Sequence, residues 1–199
     1  YWSMGDFQRA EPLFLKSMEI IRKAYGEEDV DYLTCLNNVG SLYSSMKNYA
    51  GAEPYLLQSM KIMRKKLGEK DPEYARSLSN LGRLYLGMNE FARAEPYFLQ
   101  AVEIWRDVLG HQHPDYPMGL YNLGTLYSWM GDDVRAEPLL RQALEIWQKT
   151  IGEDHINLAL AHHSLGIVLF ALNRTSDAES ELQQSARIGL AHLQQTFAV

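Results

Sequence analysis

Apolar residues return at helical spacing along this chain, in two stripes per period. Leu78, Leu81, Gly82 and Tyr85 fall at i, i+3, i+4 and i+7. Leu36, Val39, Gly40 and Tyr43 keep the same spacing, as do Leu120, Leu123, Gly124 and Tyr127. That periodicity marks one buried face of a helix. A second stripe, Phe91, Ala94, Phe98, Ala101 and Ile104, follows a break at Met88-Asn89. Each period therefore predicts a helix A, a tight turn and a helix B.

The copies are in strict register. Glu-Pro falls at 11–12, 53–54, 95–96 and 137–138, a constant step of 42 residues, and a degenerate fifth copy keeps Glu179 but has Ser180 in place of proline. A fixed period between 20 and 50 residues indicates units that bury their apolar faces only by stacking on one another. The expected fold is all-α, a solenoid of antiparallel helix pairs. Its expected divisions are a partial repeat over 1–30, repeats over 31–72, 73–114 and 115–156, and a degenerate repeat plus tail over 157–199, all in one solenoid domain. The A helices are predicted near 31–46, 73–88, 115–130 and 157–172, and the B helices near 49–67, 91–109, 133–151 and 175–193. An earlier helix B is predicted from about Asp6 to Ala24.

The register also reads the ends. Tyr1 aligns with Tyr43, Tyr85 and Tyr127, and Met4 with Met46, Met88 and Met130, so the sequence is expected to open in the last turns of a helix A. Gly26, Gly68, Gly110 and Gly152 follow the B helices and suit a left-handed C-cap. Asp71-Pro72 and His113-Pro114 suit the start of the next A helix, with a capping side chain and then proline at the first helical position. Pro54, Pro96 and Pro138 sit awkwardly, since an interior proline removes one backbone bond. Either helix B starts late or it bends at the same place in each unit. The last unit departs from the pattern at His162, Ser164, Leu169 and Ser180, as terminal repeats commonly do. The tail from Gln194 to Val199 has no counterpart and is expected to lead toward a further domain.

Composition narrows the function. Lys and Arg total 19 against 25 Asp and Glu, a net charge of −6, the wrong sign for a general nucleic-acid or anionic-membrane surface. No apolar run approaches the roughly 18 residues of a membrane span, and the first residues do not read as a signal peptide. The expected setting is cytoplasmic, with which the single Cys35 agrees. Its counterparts Ser77, Gly119 and Ala161 are small, so Cys35 reads as packing rather than as a reactive thiol.

Catalytic signatures are missing from the sequence: there is no phosphate-binding glycine loop, no His-Glu-x-x-His, no Gly-x-Ser-x-Gly and no Cys-x-x-Cys. The chain is expected to be no enzyme, with neither metal nor cofactor. His111 and His113 read as loop and capping residues, because Asp71 precedes His113 in register. His155, His162 and His163 read as surface or end-cap side chains. Tyr43, Tyr85 and Tyr127 read as wedges between helices, and Trp105 and Trp147 as packing. Trp129 is a candidate contact residue, because its counterparts Ser45, Gly87 and Ala171 are small.

Asn80-Leu-Gly-x-x-Tyr, followed nine residues later by a small alanine and then a bulky residue four further on, resembles the tetratricopeptide repeat. The long period, with Leu-Gly-Glu-x-(His/Asp)-Pro between units, resembles the form in kinesin light chains and bacterial regulatory proteins. That resemblance implies a right-handed superhelical solenoid, and a protein-interaction scaffold that binds a peptide or partner segment in a concave groove. In peptide-binding members the matching asparagine hydrogen-bonds the ligand backbone, which implies the same for Asn38, Asn80 and Asn122. Bonding between helices is the alternative role for these amides. Groove positions four before and three after each asparagine include Arg76, Arg83, Ser41 and Thr125, together with Thr34, Met118, Leu160 and Ile167. Arg76 and Arg83 share one helix face with Asn80, so an acidic partner is the expected charge. A second reading makes the array a regulatory or sensor arm of a larger protein. The Leu-Gln-Gln-Thr-Phe segment resembles those that precede caspase-like CHAT protease domains. The sequence sets no oligomeric state.

Overall fold

The structure, a computed structural model, describes residues 6–111 and 113–197, with side chains described up to 194. All regular structure among these residues is helical: α1 (Phe7–Tyr25), α2 (Val30–Ser45), α3 (Tyr49–Leu67), α4 (Pro72–Gly87), α5 (Phe91–Leu109), α6 (Asp115–Trp129), α7 (Asp133–Thr150), α8 (Ile156–Ala171) and α9 (Thr175–Phe197). The predicted A helices are α2, α4, α6 and α8, and the B helices are α1, α3, α5, α7 and α9. The expected end of a helix A in residues 1–5 lies outside the described residues.

The helices gather into two compact units, Tyr1–Ile104 and Trp105–Val199. In the first, α1 packs on α2, α2 on α3 and α3 on α4, and the two A helices α2 and α4 lie side by side. In the second, α6 packs on α7, α7 on α8 and α8 on α9, with α6 beside α8.

Glycines in the apolar stripe let each pair close. A Cβ placed on Gly40 would lie 2.5 Å from Leu56 Cγ, and one on Gly82 would lie 2.6 Å from Phe98 Cε1. At Gly124 and Gly166 the corresponding approaches, to Leu140 and Leu182, are 2.9 and 2.8 Å. Helix B thus presses a large apolar side chain onto bare helix A backbone. Around these contacts Leu36, Leu78, Leu81, Leu84 and Leu126 are fully buried, each contributing about 1.5–3 kcal/mol of transfer free energy before entropy is subtracted.

The A-to-B turns share one form. Lys47, Asn89, Gly131 and Asn173, each 42 residues from the last, have φ of 57°, 60°, 76° and 61°. Around Lys47, Asn48 N–H reaches Tyr43 O at 2.9 Å and Lys47 N–H reaches Ser44 O at 3.0 Å, the bond pair of a Schellman motif. Asn48 then caps α3 by accepting from Gly51 N at 3.1 Å, and Asp132 caps α7 by accepting from Arg135 N at 3.2 Å. One residue therefore closes one helix and opens the next.

Several details differ from the sequence-based expectation. Two of the glycines after the B helices are not left-handed helical: Gly26 and Gly68 have φ of 90° and 91° with ψ of 175° and 169°, a region open essentially to glycine alone. Gly152 has no positive φ, and α7 is capped by extended Ile151. Helix B does not start late. Pro12, Pro54, Pro96 and Pro138 lie inside α1, α3, α5 and α7, each at the sixth residue. Asp71 caps α4 with Pro72 at its first position, but Pro114 precedes α6, and His113 Nδ1 takes the capping role by accepting from Asp115 N at 3.3 Å. His155 caps α8 in the same way, accepting from Asn157 N at 3.1 Å. The last helix runs four residues past its expected end at 193, so the tail is helical through Phe197.

Candidate functional site

Helix A buries its leucines and tyrosine, which leaves one strip of its surface to polar side chains. On α4 that strip carries Arg76, Asn80 and Arg83. Both arginines are exposed and the asparagine is half-buried. Arg76 lies 3.2 Å from Glu73 one turn earlier. On the neighbouring α2, Asn38 and Ser41 are half-buried and Thr34 is exposed, with its hydroxyl donating to Val30 O at 3.0 Å. The two strips meet in a small cleft of about 160 Å³ lined by Ser41, Ser44, Ser45, Asn80, Arg83 and Gly87, together with Tyr49 of α3. Ser44 and Ser45 spend their protons on the carbonyls of Gly40 and Ser41, at 2.9 Å each. Three of the expected site residues, Ser41, Asn80 and Arg83, are thus brought together. Asn38 and Arg76 share their helix faces without lining the cleft.

In the second unit the same strip changes character. Asn122 on α6 is only 7% exposed, so it is core-facing where Asn80 is half open. Thr125 is half-buried, and its hydroxyl oxygen is enclosed with no hydrogen-bond partner among the described residues. Trp129, at the end of α6, is 57% exposed. On α8 the strip is apolar, with Leu160 and Ile167 45% and 49% exposed. Ser164 stands at the asparagine position and its hydroxyl lies 3.4 Å from the Tyr121 hydroxyl.

No group of three or more His, Cys, Asp or Glu among the described residues is arranged to hold a metal ion, and no helix among them is long and apolar enough to cross a membrane. Cys35 is half-buried, and burial raises its thiol pKa above the ordinary value.

The repeated glutamate of Glu-Pro, which spacing alone left without a role, has one in the structure. Tyr43 Oη donates to Glu11 Oε1 at 2.7 Å and Tyr85 Oη to Glu53 Oε1 at 2.8 Å, so a B helix reaches the A helix that follows it. The carboxylate acceptor pushes the Tyr43 phenol up to about 12. Burial together with Glu53 pushes Tyr85 higher still. The Arg93 guanidinium lies 3.9 Å above the Tyr85 ring and donates to Glu53 Oε1 at 2.9 Å. In the second unit Arg135 lies 4.1 Å above the Tyr127 ring. Leu169 replaces the tyrosine in the last repeat, and Glu137 there accepts from Arg141 at 2.8 Å and Arg174 at 2.6 Å. Partial burial raises the Glu137 pKa, but the two guanidinium groups outweigh it and hold the carboxyl below its usual range.

The sequence pattern of the tetratricopeptide repeat matches residues 1–65, 37–107 and 117–191. The chain belongs to the tetratricopeptide repeat family. No curated protein sequence matches it. Among solved structures, the array is similar to BtubC (BKLC) from P. vanneervenii at 24% identity and TM-score 0.78, over 96% of this chain and 76% of that one. It is also similar to a putative kinesin light chain from Podospora anserina with nearly identical repeats, at 24% identity and TM-score 0.75, over 98% and 92% of the two chains. A Rap protein complexed with competence and sporulation factor matches at 16% identity and TM-score 0.77, over 94% of this chain and 51% of that protein. At these identities the likeness is one of fold, a tetratricopeptide solenoid. Arrays of this family generally mediate contacts between proteins.

Proposed function

We propose that this array binds a peptide or extended partner segment on exposed faces of its A helices, in the first unit through Asn38, Asn80, Arg76, Arg83 and Ser41 on α2 and α4, and in the second through Thr125 and Trp129 on α6. The observation that carries this reading is the cleft between α2 and α4. It collects Ser41, Asn80 and Arg83 on a face of the A helices that packing leaves partly open. An amide there offers donors and an acceptor to a ligand backbone, and the two arginines favour a segment bearing carboxylates. Asn122, only 7% exposed, takes the alternative role of these amides, bonding between helices. The Rap relative in complex with its peptide factor supports a peptide as the ligand. The role is scaffolding in a cytoplasmic setting.

The test is an arrayed library of acidic, neutral and basic peptides, followed by calorimetric titration of the best-bound sequence. Acidic peptides are expected to dominate. Asn80→Ala combined with Arg83→Glu is expected to weaken binding at least tenfold with an unchanged thermal melt. Equal binding by wild type and the double variant would remove the assignment.

A further inference from the structure

Three of the four A helices carry the same tyrosine in their first turn. Tyr32, Tyr74 and Tyr116 recur at the 42-residue step and each is 4% exposed. Each phenol meets the glutamine 26 residues further on: Gln142 Nε2 donates to Tyr116 Oη at 3.4 Å, and Gln58 and Gln100 hydrogen-bond Tyr32 and Tyr74. In the last helix pair the tyrosine position is Leu158, yet Gln184 is kept 26 residues on.

Leu158 borders a cleft of about 480 Å³, lined also by Gln148, Glu153, His162, Gln184, Arg187 and Ile188. Its volume falls in the roughly 300–1,000 Å³ range of ligand sites. Leu158 and Ile188 make an apolar floor, at 3% and 2% exposure. Arg187 Nε donates to Gln184 Oε1 at 3.1 Å, so the amide oxygen is engaged and the NH₂ is the group that can donate, as Gln142 Nε2 does to Tyr116. His162 stands where the preceding A helices have leucine, and its Nδ1 lies 2.6 Å from Glu181 Oε2, so a polar wall replaces an apolar one.

We infer that this cleft, bounded by α8, α9 and the end of α7 with the loop that follows it, takes the tyrosine side chain of a partner polypeptide. The partner's ring fills the space that this chain fills for itself in the three earlier pairs. An aromatic body over Leu158 and Ile188 removes apolar surface from water, and a phenol oxygen meets the Gln184 amide. Phenylalanine would leave that donor without its partner. The terminal pair is thereby a second contact point, independent of the peptide strip.

The test uses the whole chain with labelled methyl groups and two probes, N-acetyltyrosinamide and N-acetylphenylalaninamide, followed by NMR titration. The tyrosine probe is expected to shift the methyl signals of Leu158 and Ile188 and to bind about twofold to tenfold more tightly than the phenylalanine probe, the span of one net hydrogen bond. Leu158→Tyr, which restores the residue of the earlier pairs, is expected to fold normally and lose the response. Gln184→Leu is expected to retain binding and erase the difference between probes. Absence of any shift up to the solubility of the tyrosine probe, a response surviving in Leu158→Tyr, or equal binding of the two probes by wild type would each overturn the proposal.

Discussion

Tyr85 Oη donates to Glu53 Oε1 across 2.8 Å, and Arg93 lies against both, with its guanidinium over the phenol ring and one N–H on the same carboxylate oxygen. Glu53 belongs to α3, Tyr85 to α4 and Arg93 to α5, so three consecutive helices meet at one oxygen. Hydrogen bonds to a charged acceptor are stronger than neutral ones, and partial solvent exposure reduces the gain. Tyr85→Phe is expected to cost about 1–2 kcal/mol. Urea denaturation followed by circular dichroism checks this, and a change below the error of the midpoint would mean that the bond adds nothing net.

The same bonds make the array sensitive to alkali. A phenol whose folded pKa lies above its unfolded value contributes stability below the unfolded value, and that contribution is lost as pH rises toward the folded one. For Tyr43 the unfolded value is near 10 and the folded one about 12, and Tyr85 shifts in the same direction. Stability is therefore expected to be flat up to about pH 10 and to fall between about 10 and 12. A variant with both Tyr43→Phe and Tyr85→Phe should start lower and fall less steeply over that window. Parallel curves for the two proteins would contradict the linkage.

Glycine at the helix contact is a steric requirement that one methyl group tests. Gly82→Ala would bring its Cβ to 2.6 Å from the Phe98 ring, and overpacking of this kind typically costs about 1–3 kcal/mol. Gly152→Ala meets nothing within 4 Å and is expected to leave the melting temperature unchanged or slightly raised. Differential scanning calorimetry of the two variants gives the comparison, and similar melting temperatures for both would mean the helices separate without cost.

Lys47 holds a φ of 57°, a conformation that costs an ordinary L-residue about 1–2 kcal/mol. Lys47→Gly relieves that strain but frees the unfolded chain, so the expected net gain is small, about 0.5–1 kcal/mol. At Gly131, already suited to its φ of 76°, the reverse change Gly131→Ala is expected to destabilise by about 1 kcal/mol. Chemical denaturation midpoints moving in opposite directions would support this account; a loss at Lys47 would oppose it.

The placement of the helices could be read from the sequence because a stripe such as Leu78, Leu81 and Tyr85 recurs in phase, so the errors at helix ends stayed within a few residues. What could not be read depended on relations between repeats. Glu53 looked like one half of a dipeptide signature, since nothing in linear spacing announces that its partner is Tyr85, 32 residues away. Lys47, Asn89 and Asn173 hid a left-handed turn because only Gly131 of the four carries the usual residue. The candidate strip was legible as a set of offsets on one face, and α4 places Asn80 and Arg83 together as those offsets require. Asn122 sits at the identical offset but is buried, because exposure depends on how closely the neighbouring helix approaches. Leu158, by contrast, carries no signal in the linear sequence, since a leucine in a helix is ordinary until its aligned tyrosines are set against their glutamines.

The handshake from Glu11 to Tyr43 is repeated from Glu53 to Tyr85, with the acid always on the earlier partner and the phenol always on the later one. Such a joint has a front and a back, like coupled railway carriages. A whole 42-residue module spliced in at that junction would find its neighbours already equipped, whereas a module patterned after the last one, with Leu169 where the phenol belongs, would have to couple to the preceding acid through a guanidinium, as Arg174 does to Glu137.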